Sequence, residues 1–338
     1  MGNFAFALLT PQAIERQLAG VVLSRIMARG NMTLTASQLI QFSPDDVQQL
    51  TSVLPQAAAA NLTGSPASLL YVFNGENAVN KMAGLLPELT ASLGCADQIL
   101  AAGNEAQAAA ALPVLADIFQ RDNLLTPAPA AGEERTLLII KPENFRQVSV
   151  RPGAIIDMLM SLDLKWVGCK VHGMSIDEAL EFYGPVKQAL RSKLGPKIGT
   201  QALAFLEEKL AMKFNNASAD AIVEAAGNGF ADDQFEQIVE FMAGKRPSEV
   251  PEAERNLPAG AKCMVLIFDG VNAVSKIRTI LGPTNPAQAP GGTVRCDFGT
   301  NIMINASHAS DSVESFEREG GIVKVNSNAL SQILRDNL

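Results

Sequence analysis

Phe73-Asn-Gly75-Glu-Asn77-Ala-Val79-Asn-Lys81 returns in the second half of the chain as Phe268-Asp-Gly270-Val-Asn272-Ala-Val274-Ser-Lys276, identical at six of nine positions. A match of this density between distant stretches means that one structural unit occurs twice. Working outward, Ala5-Phe-Ala-Leu-Leu-Thr10-Pro11 is answered by Leu137-Leu-Ile-Ile-Lys141-Pro142, and Gly20 by Gly153. Between these anchors each half reads strand, helix, strand, helix, strand, helix. Asn31–Ser37 and Lys165–Val171 are the expected second strands, and Asn77–Leu86 and Ile155–Leu162 are amphipathic helices. The proline-alanine stretch Leu125–Gly132 reads as a linker. The expected organisation is a first domain at 1–124, a linker at 125–132 and a second domain at 133–338.

Composition permits this. The 338 residues suffice for two ordinary domains, and 47% hydrophobic with 18% charged residues can fill substantial cores. A formal net charge of −8 argues against nonspecific binding of DNA or RNA. It leaves room for a small cationic cleft. Cys95, Cys169, Cys263 and Cys296 are scattered without metal-ligand spacing, so they read as reduced thiols. Phe4–Leu9 is too short for a signal-peptide core, and nothing approaches a membrane span. The expectation is a cytoplasmic protein with no membrane partner and no specific nucleic-acid partner.

Chemistry concentrates in Asn305-Ala-Ser-His308-Ala-Ser-Asp311, which holds one of only two histidines. A neutral imidazole is a competent nucleophile near pH 7. Asp311 followed by Glu314 makes a capping-box pattern, so His308 is expected just before a helix start, where N–H groups would favour neutral imidazole and a phosphoryl group. Phosphoryl transfer also requires cations and rigid positioning. Lys141, Arg278 and Arg295 are candidate cations, and arginine grips phosphate oxygens in a fixed fork. Thr284 and Asn305 add hydroxyl and amide donors. Neither a Gly-x-x-x-x-Gly-Lys-(Ser/Thr) loop nor a strand–Gly-x-Gly-x-x-Gly–helix unit is present. His172 reads as an ordinary strand-end residue and Trp166 as core.

The Asn305–Asp311 segment resembles the active-site signature of nucleoside diphosphate kinases, Asn-x-x-His-(Gly/Ala)-Ser-Asp. Thr136-Leu-Leu-Ile-Ile-Lys141-Pro142 is similar to that family's first strand and phosphate-facing lysine. Phe268–Val274, Arg278, Gly282-Pro-Thr284-Asn285-Pro286 and Gly292-Thr-Val-Arg295-Cys-Asp297 follow in the family's order, and Asp311–Ser315 with Glu319 completes the run. The resemblance covers residues 136–319. It implies an α+β fold: two tandem ferredoxin-like (βαββαβ) sandwich domains with antiparallel sheets. It also implies a ping-pong phosphotransferase with His308 as nucleophile, Ser310 and Glu319 orienting the ring, and Lys141, Arg278, Thr284, Arg295 and Asn305 on the phosphates. Tyr183 matches an active-site tyrosine, and Phe235 is the candidate for stacking on the base, with Phe230 an alternative. Magnesium is expected on the nucleotide phosphates, with no protein metal site. Nucleoside triphosphates and diphosphates are the expected partners, and the chain is expected to form a homo-oligomer.

Departures from the family pattern are localised. The first copy has Thr10 in place of Lys141, lacks a histidine, and a loose alignment sets Glu105 near the place of His308. It is therefore expected to be catalytically silent. The second copy carries insertions at about 185–230 and 245–261. The first insertion is expected to hold helices at Gly199–Lys213 and Ala219–Ala226, with a break at Gly227-Asn-Gly229 before a separate helix Phe235–Ala243. The second is expected to be an extended loop. Pro185 stands where the family has an acidic residue. Two other readings fit the residues: a non-catalytic nucleotide-binding scaffold with a blocked cleft, and a histidine phosphocarrier serving a protein acceptor.

Overall fold

The computed structural model describes residues 3–120, 128–327 and 329–337. The expected linker falls partly outside them, at 125–127. The chain divides into two compact units, one of Met1–His172 with Cys263–Leu338 and one of Gly173–Lys262.

The first unit contains two sheets. In the N-terminal half the elements are β1 (Phe4–Leu9), α1 (Pro11–Glu15), α2 (Ala19–Gly30), β2 (Thr33–Ile40), α3 (Pro44–Val53), β3 (Ser68–Asn74), α4 (Ala78–Leu93), β4 (Ile99–Leu100) and α5 (Glu105–Gln120). The C-terminal half begins with β5 (Glu134–Ile140), α6 (Arg151–Met160) and β6 (Lys165–His172). The second unit contributes α7 (Ile176–Phe182), α8 (Gly184–Ala189), α9 (Gly195–Leu210) and α10 (Asn216–Ala243). The first unit then resumes with β7 (Cys263–Gly270), α11 (Ala273–Leu281), α12 (Val294–Phe298), β8 (Ser307–Ala309), α13 (Val313–Ile322) and α14 (Leu330–Arg335).

Both sheets are antiparallel, with orders β2-β3-β1-β4 and β6-β7-β5-β8. That is the ferredoxin-like arrangement the resemblance implied. The central strands β1, β3 and β7 are largely apolar because both faces are covered, and the two-residue period sorts their side chains. Ala5, Ala7 and Leu9 of β1 pack on the side of α2 and α4. Phe6 and Leu8 pack with residues of α3, α5 and α14.

The repeat extends to irregularities that no hydrophobic pattern reveals. Leu34 pairs with Phe73 and Ala36 with Val72 across a β-bulge. Trp166 pairs with Phe268 and Gly168 with Ile267 across the equivalent bulge. Asn77 and Asn272, which open α4 and α11, both take left-handed backbone, at φ 58° and 55°. Asparagine tolerates that region better than other residues bearing a Cβ.

Register corrects the expectation for Glu105. Ser307 and His308 lie opposite Ile140 and Ile139. Ile99 and Leu100 lie opposite Leu9 and Leu8. Gln98 accepts from the Thr10 N–H as Ala306 accepts from the Lys141 N–H, both at 2.9 Å. Leu100 therefore occupies the histidine position, and Glu105 belongs to the first turn of α5.

The two halves meet through equivalent elements. Helix α2 packs on α6 and strand β2 lies beside β6. A Cβ on Gly20 would collide with the Gly153 carbonyl, and one on Gly153 with the Gly20 carbonyl. The absence of side chains there permits the helices' close approach. Ser24 Oγ donates to the Val150 carbonyl at 3.0 Å, and Ser37 Oγ lies 3.2 Å from Cys169 Sγ. Like elements facing like is the geometry of an isologous dimer, here within one chain.

In the second unit, α10 is one helix of 28 residues, not two separated by a turn. Gly227 lies inside it, where a side chain would strike the Gly195 backbone of α9, and Gly199 meets Val223 in the same way. These glycines let two helices cross closely and do not break either one. Asn215 is the N-cap of α10, its side-chain oxygen accepting from the Ser218 N–H at 3.0 Å. The Pro247–Pro258 segment forms short turns at Pro247–Glu249 and Glu252–Glu254. Arg255 closes them by donating to the carbonyls of Pro247 and Val250 at 2.9 and 3.1 Å.

Candidate active site

The site forms where β5 ends and β8 runs along the sheet edge. Alternation in β8 buries Ser307 and Ala309 and leaves His308 half-buried. The preceding residue, Ala306, has φ 67°, a left-handed conformation costly for alanine. Its N–H donates to Glu143 Oε1 at 2.8 Å, and its carbonyl accepts from the Lys141 N–H and from Asn144 Nδ2, both at 2.9 Å. Three polar groups thus hold the kink that delivers the histidine.

His308 Nε2 lies 2.9 Å from Glu319 Oε2, and Ser310 Oγ donates to the same oxygen at 2.8 Å. Arg318 meets Oε1 at 3.2 Å. Glu319 and Ser310 are buried. Glu319 projects from the second turn of α13, so the imidazole is held by that helix's body. Its N-cap is Ser312, whose hydroxyl accepts from the Ser315 N–H at 3.1 Å. Asp311 is not the cap; its carboxylate accepts from the Ser315 hydroxyl. That bond, with Arg278 and His308 nearby, holds the Asp311 carboxyl below its ordinary range.

The cations are tied to the same frame. Lys141 is buried, and its Nζ donates to the Met303 carbonyl at 2.7 Å and to Asn305 Oδ1 at 2.8 Å. Asn305 Nδ2 donates in turn to the Thr284 carbonyl at 3.0 Å. Burial, with Arg295 adding, pushes Lys141 down to about 8 against an opposing pull from Glu143. Arg295 donates to the carbonyls of Gly282 and Ser307 at 2.8 and 3.2 Å. Burial, with Arg278 adding, pushes its guanidinium down to about 10. An anion would relieve both groups. Arg278 is exposed and lines two adjoining hollows, one with Thr284, Thr293 and Arg295, the other with Asp311 and Ser312.

Residues 234–327 match the family model described as nucleoside diphosphate kinase. Over these residues the chain is similar to nucleoside diphosphate kinases. A nucleoside diphosphate kinase from Methanoregula boonei is 48% identical over 63 residues, which are 19% of this chain and 42% of that relative, so the match spans less than half of the relative's length. Solved structures of nucleoside diphosphate kinases from Aquifex aeolicus and Pyrobaculum aerophilum align at 22% and 25% identity. Each alignment covers 56% of this chain and 94% of the other, with TM-scores of 0.35 and 0.37.

The structure brings together His308, Ser310, Glu319, Lys141, Asn305, Thr284, Arg278 and Arg295. Tyr183 and Phe235 belong to the unit Gly173–Lys262. Both are buried there; Tyr183 packs on Phe182 with ring centroids 4.9 Å apart, and Lys187 Nζ lies 5.3 Å from the Phe235 ring centre. Glu143, Asn144 and Arg318 are additions that sequence reading missed. Glu143 and Asn144 directly follow Lys141-Pro142, and a polar pair immediately after a strand was the available signal. In the N-terminal half, counting on from Leu100 places Ala102 at the Ser310 position and Ala111 at the Glu319 position. Among the described residues, no group of three or more histidine, cysteine or carboxylate side chains is placed to hold a metal. No helix among them is long and apolar enough to cross a membrane.

Proposed function

We propose that the chain is a nucleoside diphosphate kinase working through a phosphohistidine at His308. The observation that carries this reading is the engagement of Nε2 by the buried Glu319. With Nε2–H donating to the carboxylate, the ring is the tautomer whose lone pair lies on Nδ1. That nitrogen attacks the terminal phosphorus of a magnesium–nucleoside triphosphate, the bond to the bridging oxygen breaks, and the diphosphate departs with those electrons. A second diphosphate then attacks the phosphohistidine and restores the ring. The positive charge on the phosphorylated imidazole is shared with Glu319, which Ser310 and Arg318 hold in place. Lys141, Arg278 and Arg295 offset charge spreading over the transferring group, and Thr284 and Asn305 orient it. Tyr183 and Phe235 are assigned to nucleotide contact on the resemblance. Magnesium travels with the substrate.

Residues 1–124 are, in this reading, a silent copy of the same domain. Leu100, Thr10, Ala102 and Ala111 stand where the histidine, lysine, serine and glutamate are needed. The internal dimer-like junction makes the whole chain one building block of a cytoplasmic homo-oligomer, and a monomeric mass by light scattering would end that part. Initial rates of transfer from ATP to GDP test the kinase itself. Parallel reciprocal plots are expected from a ping-pong route. Intersecting plots would exclude it, nucleotide binding without transfer would favour the scaffold, and a phosphoenzyme that diphosphates cannot discharge would favour the phosphocarrier.

A further inference from the structure

The helix that holds Glu319 is anchored at its far end on the silent half, and we propose that this anchorage is what positions Glu319 against His308. The inference rests on the kinase reading and gives the silent half a task in it. Helix α13 ends at Ile322, one turn beyond Glu319, and the Val323 N–H donates to the Glu319 carbonyl at 3.0 Å. The carbonyls that follow converge on one buried ammonium: Lys170 Nζ donates to Val323, Lys324 and Ser327 at 2.9, 3.1 and 2.8 Å. Lys170 lies on β6, the strand beside β2 of the silent half. A cation at a helix C-terminus satisfies carbonyls that lack intrahelical partners and opposes the helix dipole.

The chain then crosses to the silent half. Leu330 and Leu334 of α14 are buried in the core that also contains Leu112, Leu115 and Phe119 of α5. Ser331 Oγ donates to the Ala116 carbonyl at 2.8 Å, and Arg335 reaches Asp117 and Gln120 at 2.7 and 2.6 Å. Glu319 is therefore fixed from both directions: by His308 and Ser310 on its side chain, and through Lys170 and α14 on its backbone. Lys170 and α14 are positioning elements, since neither touches the reacting atoms.

The test uses full-length chains carrying Lys170→Met, Lys170→Arg or Leu334→Ala, with Leu50→Ala as control. Leu50 is fully buried in the same core but lies on α3. Two readouts are taken: the single-turnover rate of loading His308 from labelled ATP, and the ring's NMR titration, readable because the chain has two histidines. Lys170→Met and Leu334→Ala are expected to slow loading about 5- to 50-fold with nucleotide affinity within about twofold, and to shift the titration of His308. Lys170→Arg should recover most of the rate. Leu50→Ala should lower the melting temperature comparably and leave loading and titration unchanged. Wild-type loading and titration in Leu334→Ala, with hydrogen exchange showing 330–337 released, would overturn the proposal; so would an equal effect of Leu50→Ala. If the wild type itself never loads, the kinase reading fails, and the titration alone decides: a shift in Lys170→Met and Leu334→Ala upholds the anchorage, and its absence removes it.

Discussion

Replacing Lys141 with methionine separates what the ammonium costs the fold from what it contributes to chemistry. Its pKa falls from an ordinary 10.5 to about 8 in the folded chain. One pKa unit corresponds to about 1.36 kcal/mol, so below pH 8 the buried charge costs the fold roughly 3 kcal/mol. The folded pKa lies below the unfolded one, so the unfolded chain binds more protons between the two values. Stability therefore rises with pH across that window, from about 8 to 10.5. Methionine removes this dependence. It also leaves the Met303 carbonyl and Asn305 Oδ1 without the Lys141 donor, at ~1–3 kcal/mol each when buried. Near pH 7 the two effects largely offset, and the variant should lie within about 2 kcal/mol of wild type, while transfer falls by about two orders of magnitude or more. Towards pH 10.5 wild type should pull ahead by roughly a further 3 kcal/mol. Paired urea unfolding at pH 7.5, 9 and 10.5 measures the difference. A gap between wild type and variant that stays constant with pH would refute the argument.

Three other perturbations follow from the same structure. Glu319→Gln keeps the shape but removes the charge that supports a phosphorylated ring, and should slow loading of His308 by about 10²-fold at pH 7; a stopped-flow loading rate within a factor of three of wild type would contradict it. Gly153→Ala drives a Cβ into the Gly20 carbonyl and Ser24, and should cost roughly 2–4 kcal/mol of stability by urea titration, where an unchanged midpoint would show that the two halves are not pressed together there. Asp157, beside the same crossing, is raised to about 6 by burial, against a hydrogen bond from Val21. Its folded pKa exceeds the ordinary 3.8, so its charge destabilises as pH rises through this interval. Asp157→Asn should therefore stabilise by ~1 kcal/mol at pH 7, discounted for partial exposure, with no gain at pH 3.5, and a gain independent of pH would exclude this origin.

What could be read from sequence followed from residue identity at short range. The pair Phe73–Lys81 and Phe268–Lys276 announced the repeat, and short apolar runs between amphipathic helices placed the strands. His308, proposed as nucleophile, and the cations proposed to serve it lie in one short signature and the blocks around it, so they were legible as candidates before any geometry. Glycines were less legible: Gly227 and Gly229 carry the composition of a turn, and only the close approach of Gly195 to Gly227 explains why α10 runs through them. The cap of α13 was displaced by one residue because Asp311 and Ser312 are both good caps, and backbone geometry chose Ser312. Glu105 was set against His308 because alignment follows residue type. The ladder follows register, and register selects Leu100. The partnership of Lys170 with the end of α13, and of α14 with α5, joins residues far apart in the chain and left no local signature.

The proposed kinase stands or falls on a phosphoryl group carried by His308. Purified protein mixed with terminally labelled ATP and magnesium, without acceptor, tests it most directly. Wild type should carry acid-labile, alkali-stable label and His308→Ala none, with the label on Nδ1 by NMR and discharged into GTP when GDP is added. Label that persists in His308→Ala, or no label on wild type that demonstrably binds ATP, would contradict it.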